Sequence, residues 1–469
     1  MTTLTTPADP ALMTAEQLLS LYARRALSPV EALKAVTERV ARLNPRINAF
    51  AAMNPRALRE AGESEARWVA GRPIGPLDGV PCTVKDLLHL AGFPTRRGSR
   101  TTDPAPVAED APAVIGLKAA GAVILGKTTT TEFGWKSPGD CPLHGITRNP
   151  WNASRTPGGS SSGAAAAGAA CFGPLHIGTD AGGSIRIPAA YCGLVGVKPS
   201  YGRVPQWPHG AFSSVAVAGP MARSVGDAAL MLSAMARHDL RDPVCLPDDP
   251  RDWRAGLDGG VQGLRVALVR RLGFAPPLDE DGEAALRLAA RLLEEAGAVV
   301  DEAEPEMPDT RAVFSRVWGV ALARVWEATP EERRPLLDAG IEEVARRNAG
   351  MTAAEFLGAD LMRVECGHAM ARFHQRFDLV LTAVTPTAAF DADQPTVRPA
   401  EALWRDWAPW TFAFNLTRQP AVAVPVGLDE SGMPRGVQLA AALYRDDLAL
   451  RAARALERAA GVPVADVGG

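Results

Sequence analysis

The chain has 469 residues, 47% hydrophobic and 22% charged, with a formal net charge of −3. This length can bury a large core and the balance is that of a globular protein, which excludes a disordered chain and a peptide-sized binding module. The near-neutral charge, without a run of five or six like charges, excludes the electrostatic footprint of a nucleic-acid or anionic-membrane binder.

The first residues, MTTLTTPADPALMTAEQ, have neither a basic start nor a continuous apolar run, and no later stretch reaches eighteen apolar residues free of charge and proline. Six scattered cysteines form no C-x-x-C pair, so reduced thiols and a cytoplasmic location are expected. Residues 1–70 read as a helical arm. In LSPVEALKAVTERVARLNP, Ser28, Pro29 and Glu31 fit the N-cap, N1 and N3 positions of a capping box. Val30, Leu33, Val40 and Leu43 recur at helical spacing, and Asn44-Pro45 is the expected end.

From 74 to 240, short apolar runs such as AVIL (122–125) and PLHIG (174–178) alternate with helical stretches, the rhythm of α/β layers and the candidate catalytic core. GAAAAGAACFG (163–173) reads as a buried helix whose small side chains let neighbours approach closely. Ser224 and Asp227 fit a second capping box at the start of SVGDAALMLSAMARH, and dense proline, aspartate and glycine between 240 and 265 mark a surface loop. LRVALV (264–269), EAALRLAARLLEEAG and AVV continue as strand, helix and strand. A charged, mostly helical insert spans 305–376. Within 377–460, FDLVLTAVTP, AVAVPVGL and GVQLAAAL read as buried strands and DLALRAARALERAAG as the closing helix. In WRDWAPWTFAF, Trp404, Trp407, Trp410, Phe412 and Phe414 are core or pocket wall, and Pro409 argues against one uninterrupted helix. No fixed repeat period emerges, so a solenoid or propeller is not expected.

Two motifs match by letter and fail by context. GAVILGKT (121–128) fits a phosphate-binding loop, but the four residues between its glycines are Ala, Val, Ile and Leu, which make a strand rather than a loop. GSSSG (159–163) fits a nucleophile elbow with Ser161 as nucleophile. That elbow needs a preceding strand, and here NPWNASRTPG is a proline-punctuated loop, which leaves an α/β-hydrolase-type esterase as an alternative reading. None of the seven histidines has metal-ligand spacing, so no metal site is expected.

Three further segments belong together: GVPCTVKD with Lys85, PGGSSSGAAAAG with Ser160 and Ser161, and GTDAGGSIRIP with Ser184. With TRNPWN, CGLVGVKPSYGRVP, GPMARSV, TPT (385–387) and QPAVAVPVG, they resemble the amidase signature family over nearly the whole chain. The resemblance implies one α/β domain built on a large, mixed, twisted sheet with helices on both faces and with the helical insert over the substrate side. It implies hydrolysis of a small-molecule amide through an acyl-enzyme, without metal or organic cofactor, by a monomer or homodimer. It assigns Ser184 as nucleophile, Ser160 as the bridging serine after a cis peptide bond and Lys85 as general base. Ala181, Gly182, Gly183 and the Ser184 N–H fall on the oxyanion hole, with Ser161, Asp180 and Arg186 in support. The same family includes the glutamine-hydrolysing subunit of a tRNA-dependent amidotransferase. In those subunits a glutamine usually stands between the arginine and proline of the nucleophile segment, where this chain has Ile187.

The chemistry makes these assignments intelligible. A serine hydroxyl is a weak nucleophile until a base takes its proton, and a neutral lysine can do so. Keeping Lys85 neutral near pH 7 costs roughly 4.6 kcal/mol against its ordinary pKa near 10.4, within the reach of burial in surroundings such as GVPCTV. Gly182 and Gly183 lack Cβ atoms, so successive N–H groups can face a developing oxyanion. Asp180 orders the loop, either by accepting loop N–H groups or by pairing with Arg186. The family resemblance implies that TEFGWK borders the acyl pocket, so Phe133 and Trp135, with Ile187 beside the nucleophile loop, imply a neutral, apolar or aromatic substrate; ester, anilide and carbamate bonds are equally compatible with such a site.

Overall fold

The computed structural model describes residues 9–272, 275–394, 406 and 408–461. The apolar runs become strands β1 (Phe50–Met53), β2 (Pro81–Lys85) and β3 (Val123–Thr128), a separate two-stranded ribbon of β4 (Asp140–Cys141) and β5 (Gly145–Ile146), then β6 (Leu175–Asp180), β7 (Val195–Lys198), β8 (Val217–Ala222), β9 (Arg265–Leu268), β10 (Val299–Glu302), β11 (Leu379–Ala383), β12 (Ala421–Leu428) and β13 (Pro434–Ala441). Eleven of them form one mixed sheet in the order β1-β3-β2-β6-β8-β7-β12-β13-β11-β9-β10. β2 runs parallel to both β3 and β6, and β6 is antiparallel to β8.

The two faces of the sheet differ in side-chain size. On one, Leu175, Ile177, Val195, Val197, Val422, Val424, Val437 and Leu439 join a single aliphatic core with helices Pro112–Ala119, Val225–Met235, Glu280–Glu295 and Asp446–Ala460. The alternate positions on the other face include Gly178, Gly196, Ala423 and Gln438. The small ones, Gly178, Gly196 and Ala423, let helices Ser162–Ala169, Arg186–Cys192 and Pro409–Leu416 lie close to the strands. Gly163 shows how close: a Cβ on it would stand 2.3 Å from the Ala49 carbonyl oxygen. Beyond these lies the 305–376 segment, with helices Thr310–Ala328, Ala339–Asn348 and Ala353–Phe373; Phe314 of the first stacks on Phe412 with centroids 4.2 Å apart. Among the described residues no helix is long and apolar enough to cross a membrane.

Several local expectations change. Helix Pro29–Ile47 has the predicted Ser28–Glu31 capping box but runs through Pro45. A proline in the last turn loses one hydrogen bond, and the end is closed instead by Asn48 N–H to the Asn44 carbonyl and Ala49 N–H to Asn44 Oδ1, both 2.8 Å. Only half of the Ser224–Asp227 box forms. The Asp227 N–H donates to Ser224 Oγ, while its carboxylate accepts the N–H groups of Ala15 (2.8 Å) and Glu16 (3.3 Å) and so docks the first turn of helix Ala15–Ala23. As expected, no helix runs through Pro409, which is the first residue of helix Pro409–Leu416. GAVILGKT supplies strand β3, with Lys127 buried inside it.

Candidate active site

β2 and β6 lie side by side, and their C-terminal ends open on the same edge of the sheet, where open α/β sheets place their ligands. Lys85 is the last residue of β2 and Asp180 the last of β6. Residues 181–184 lead from β6 into helix Arg186–Cys192, and Ser160 and Ser161 stand just before helix Ser162–Ala169. Segments separated by 75 and 24 residues thus meet at one point.

Lys85 is wholly buried, and its Nζ donates to Ser160 Oγ at 2.7 Å, Ser161 Oγ at 2.9 Å and Thr179 Oγ1 at 2.9 Å. None of these partners is a carboxylate. Burial therefore holds its pKa well below the usual lysine range, with only the more distant Asp180 charge opposing. Ser160 follows the cis Gly159–Ser160 bond. Its hydroxyl and that of Ser184, which is 4% exposed, face one cavity of about 120 Å³ with Thr179. Ser161 does not line it; its hydroxyl also donates to the Thr179 carbonyl (3.2 Å) and accepts the Thr179 N–H (3.3 Å). His176, the histidine carried by β6, shares its ring nitrogens with Thr83 Oγ1 and the Gly173 carbonyl, and burial lowers its pKa to about 3.

The loop that carries Ser184 is held by a buried polar network. Both roles anticipated for Asp180 occur together. Its carboxylate accepts the N–H groups of Gly183 (2.8 Å) and Ile185 (3.2 Å) and forms two hydrogen bonds with the Arg186 guanidinium, each 3.0 Å. Burial pushes the Asp180 carboxyl up, but Arg186, Lys198 and Asn415 outweigh it and hold the pKa at about 2. Arg186 reaches on to Gln438 Oε1 (2.8 Å) and Asn415 Oδ1 (2.7 Å). Thr411 Oγ1 donates to the Gly182 carbonyl at 2.7 Å. Gly183 has φ +122°, and a Cβ there would lie 2.4 Å from Thr411 Oγ1, so only glycine fits. Of the four N–H groups expected to line an oxyanion hole, that of Gly183 is engaged by Asp180. Those of Ala181, Gly182 and Ser184 meet no acceptor among the described residues.

A family model described as Amidase matches residues 31–450. The chain belongs to the amidase signature family. It is 35% identical over 453 residues, 95% of each chain, to an acylamidase of Rhodococcus erythropolis. It is also 35% identical over 473 residues to a Glutamyl-tRNA(Gln) amidotransferase subunit of Geobacter metallireducens, covering 95% of this chain and 97% of that one. The fold matches the crystal structure of a bacterial aryl acylamidase with a TM-score of 0.89 and 27% identity, over 95% of this chain and 96% of that one.

In this amidase the cavity wall draws on more segments of the chain than the sequence suggests. Phe133 lines it, together with Leu87, Phe212 and Val325. Trp135 and Ile187, expected beside the substrate, pack into the core instead: Trp135 beneath Gly340 of the 305–376 segment, Ile187 against the Gly183 turn. For Trp135 the reason is geometric: Phe133 and Gly134, both at the cavity, have positive φ (+50° and +76°), so the chain turns sharply before Trp135. Phe412 joins the same core, while Trp410 and Phe414 join another; Trp404 and Trp407 lie outside the described residues. Sequence reasoning missed Thr179, Thr411, Asn415 and Gln438. One signal was available: Thr411 and Asn415, four apart, put two polar groups on one side of an otherwise apolar helix.

Proposed function

We propose that this amidase hydrolyses the C–N bond of small amides bearing an apolar or aromatic limb, through an acyl-enzyme on Ser184. The observation that carries this reading is the buried Lys85 amine, without a carboxylate partner, 2.7 Å from Ser160 Oγ in a cavity that also receives Ser184. A neutral amine accepts a proton from Ser160 as Ser160 accepts one from Ser184, and the Ser184 oxygen attacks the amide carbonyl. Negative charge develops on the carbonyl oxygen, where the N–H groups of Ala181, Gly182 and Ser184 are the donors free to meet it. One such donor is commonly worth about 2.7–4 kcal/mol. Collapse breaks the C–N bond, and the amine leaves with the proton returned along the same relay. Water then enters by the same base and releases the acid. Asp180, Arg186, Asn415 and Thr411 position the loop and touch no reacting atom. Ser161, with its hydroxyl committed to Lys85 and Thr179, serves the lysine rather than the carbonyl, which argues against the esterase reading.

The test is amine release by the purified protein alone from aryl and alkyl amides, anilides, esters, carbamates and glutamine. At about 0.8 kcal/mol per buried CH₂, the apolar wall should favour a phenyl-bearing amide over acetamide by about two orders of magnitude in kcat/KM. Glutamine outperforming every other amide, or activity only with added partner proteins, would instead place the chain in an amidotransferase complex.

A further inference from the structure

The mouth of the cavity is cationic. Arg97 lines both the inner cavity that holds Ser184 and an outer vestibule of about 510 Å³. Among the described residues, the ionisable ones lining that vestibule are Arg97, Arg324 and His209, and none is a carboxylate. His209 lies 3.4 Å from Asp242 Oδ1. Among the described residues, neither guanidinium forms a hydrogen bond or an ion pair. The carboxylate that attracts Arg97, Asp86, is bound to Lys127 at 2.7 Å. This contrasts with Arg186, Arg67 and Arg155, each held by an aspartate at 3.0 Å or less.

Arg97 is also held in place. Its N–H donates to the Asp86 carbonyl at 3.1 Å, beside Lys85, and its own carbonyl accepts the Phe133 N–H at 2.8 Å. One residue thus ties the end of β2 to the aromatic wall and presents an unpaired fork of donors where the apolar cavity meets the vestibule. A half-buried guanidinium without a partner is a poor use of a cation in a stable fold and a good receptor for a planar anion, because its donors match the two oxygens of a carboxylate.

We propose that Arg97 is a specificity residue that binds a carboxylate on the substrate. The preferred substrates are amides whose apolar limb ends in a carboxylate, with the scissile carbonyl at Ser184, the hydrocarbon against Phe133, Phe212 and Val325, and the anion on Arg97 at the cavity mouth. This rests on the amide-hydrolase reading above and refines it by placing one charge at the end of the apolar limb.

The experiment compares limbs of equal length ending in carboxylate or in primary carboxamide, carried on the acyl side of anilides in one series and on the amine side in a second. The readout is the carboxylate-to-carboxamide ratio of kcat/KM within each protein. In the wild type the ratio should be about tenfold or more in one series, arise in KM and fall as salt is raised. It should drop to near one in Arg97→Gln and be partly kept in Arg97→Lys. Binding of phenylalkanoates and the matching phenylalkanamides, followed by calorimetry, gives the same comparison without turnover, and thermal unfolding verifies that each variant is folded. A wild-type ratio at or below one in both series, or a ratio unchanged in folded Arg97→Gln, overturns the proposal. A wild type that cleaves no amide, yet binds phenylalkanoates at least tenfold tighter than the amides only when Arg97 is present, would sink the hydrolase reading and keep this one.

Discussion

Lys85 and Lys127 sit at the ends of neighbouring parallel strands, one residue out of register, and both are buried. Lys127 meets a carboxylate, Asp86 Oδ1 at 2.7 Å, together with Thr95 Oγ1 and the Pro94 carbonyl. Lys85 meets three hydroxyls. Burial lowers both pKa values, but for Lys127 the Asp86 charge and hydrogen bond oppose the shift, whereas Lys85 has only the distant Asp180. A buried amine beside a carboxylate is half of an ion pair and holds two strands together. A buried amine among hydroxyls is favoured in its neutral form and can accept a proton, the role proposed for Lys85. The two lysines share residue type and burial, but the one-residue offset turns them to opposite faces of the sheet, so the difference lies in what each face sets opposite them.

The largest effect should come from removing the site itself. Ser184→Ala and Lys85→Met should each lower turnover by a factor on the order of 10⁴–10⁶, with Lys85→Met still folded because it replaces an amine lacking an ion-pair partner by a hydrocarbon of similar length. Lys127→Met should do the opposite. It leaves Asp86 buried and unpaired at a cost of about 3–5 kcal/mol, lowering the denaturant midpoint while the folded fraction keeps its kcat. A folded Lys127→Met as inactive as Lys85→Met would abolish the distinction.

The next effect tests whether Lys85 can be turned into a second Lys127. Wild-type kcat/KM should rise with pH through a midpoint well below 10.4, because the neutral amine is the working form and burial lowers its pKa. Thr179→Asp places a carboxylate beside the Lys85 amine, which favours its charged form and raises its pKa. The midpoint should move up toward 10 and activity at pH 7 fall by about 10² or more. An unmoved pH profile in a folded Thr179→Asp protein would exclude Lys85 as the titrating base.

A smaller loss is expected from the positioning residues. Thr411→Val removes the donor to the Gly182 carbonyl and should lower kcat about tenfold, near the worth of one hydrogen bond, with the pH midpoint unchanged. A shifted midpoint would mean that Thr411 acts on Lys85 rather than on the loop. The smallest effect belongs to the histidines. His176→Ala should alter turnover of the folded protein by less than about threefold, far below the 10²–10⁴ of a general acid or base. Complete loss would revive the elbow reading centred on Ser161.

Much of this was legible in the chain because it is local. Capping residues, alternating apolar runs and the glycines of GTDAGGS each act within a few positions, so Ser28 caps its helix and PLHIG (174–178) becomes strand β6 as read. The misreadings occur where a distant partner decides. Asp227 looks like a capping residue and instead takes the N–H groups of Ala15 and Glu16, more than 200 residues away. Ile187 looks like a wall of the site and is buried behind the glycine turn, while Val325, in the helical 305–376 segment, lines the cavity.

From the chain alone follow the α/β rhythm, the membership of Lys85, Ser160 and Ser184 in one family pattern, and the failure of the two decoy motifs, because each rests on residue type and short spacing. The fold had to be seen to learn that Lys85 has hydroxyls where Lys127 has a carboxylate, that Asp180 holds both the loop and Arg186, and that Arg97 stands at the cavity mouth without a partner among the described residues. The physical reason is the same in each case. The charge state of a buried amine, guanidinium or carboxylate depends on desolvation and on partners within a few ångströms, and those partners come from strands and loops that only the folded sheet brings together.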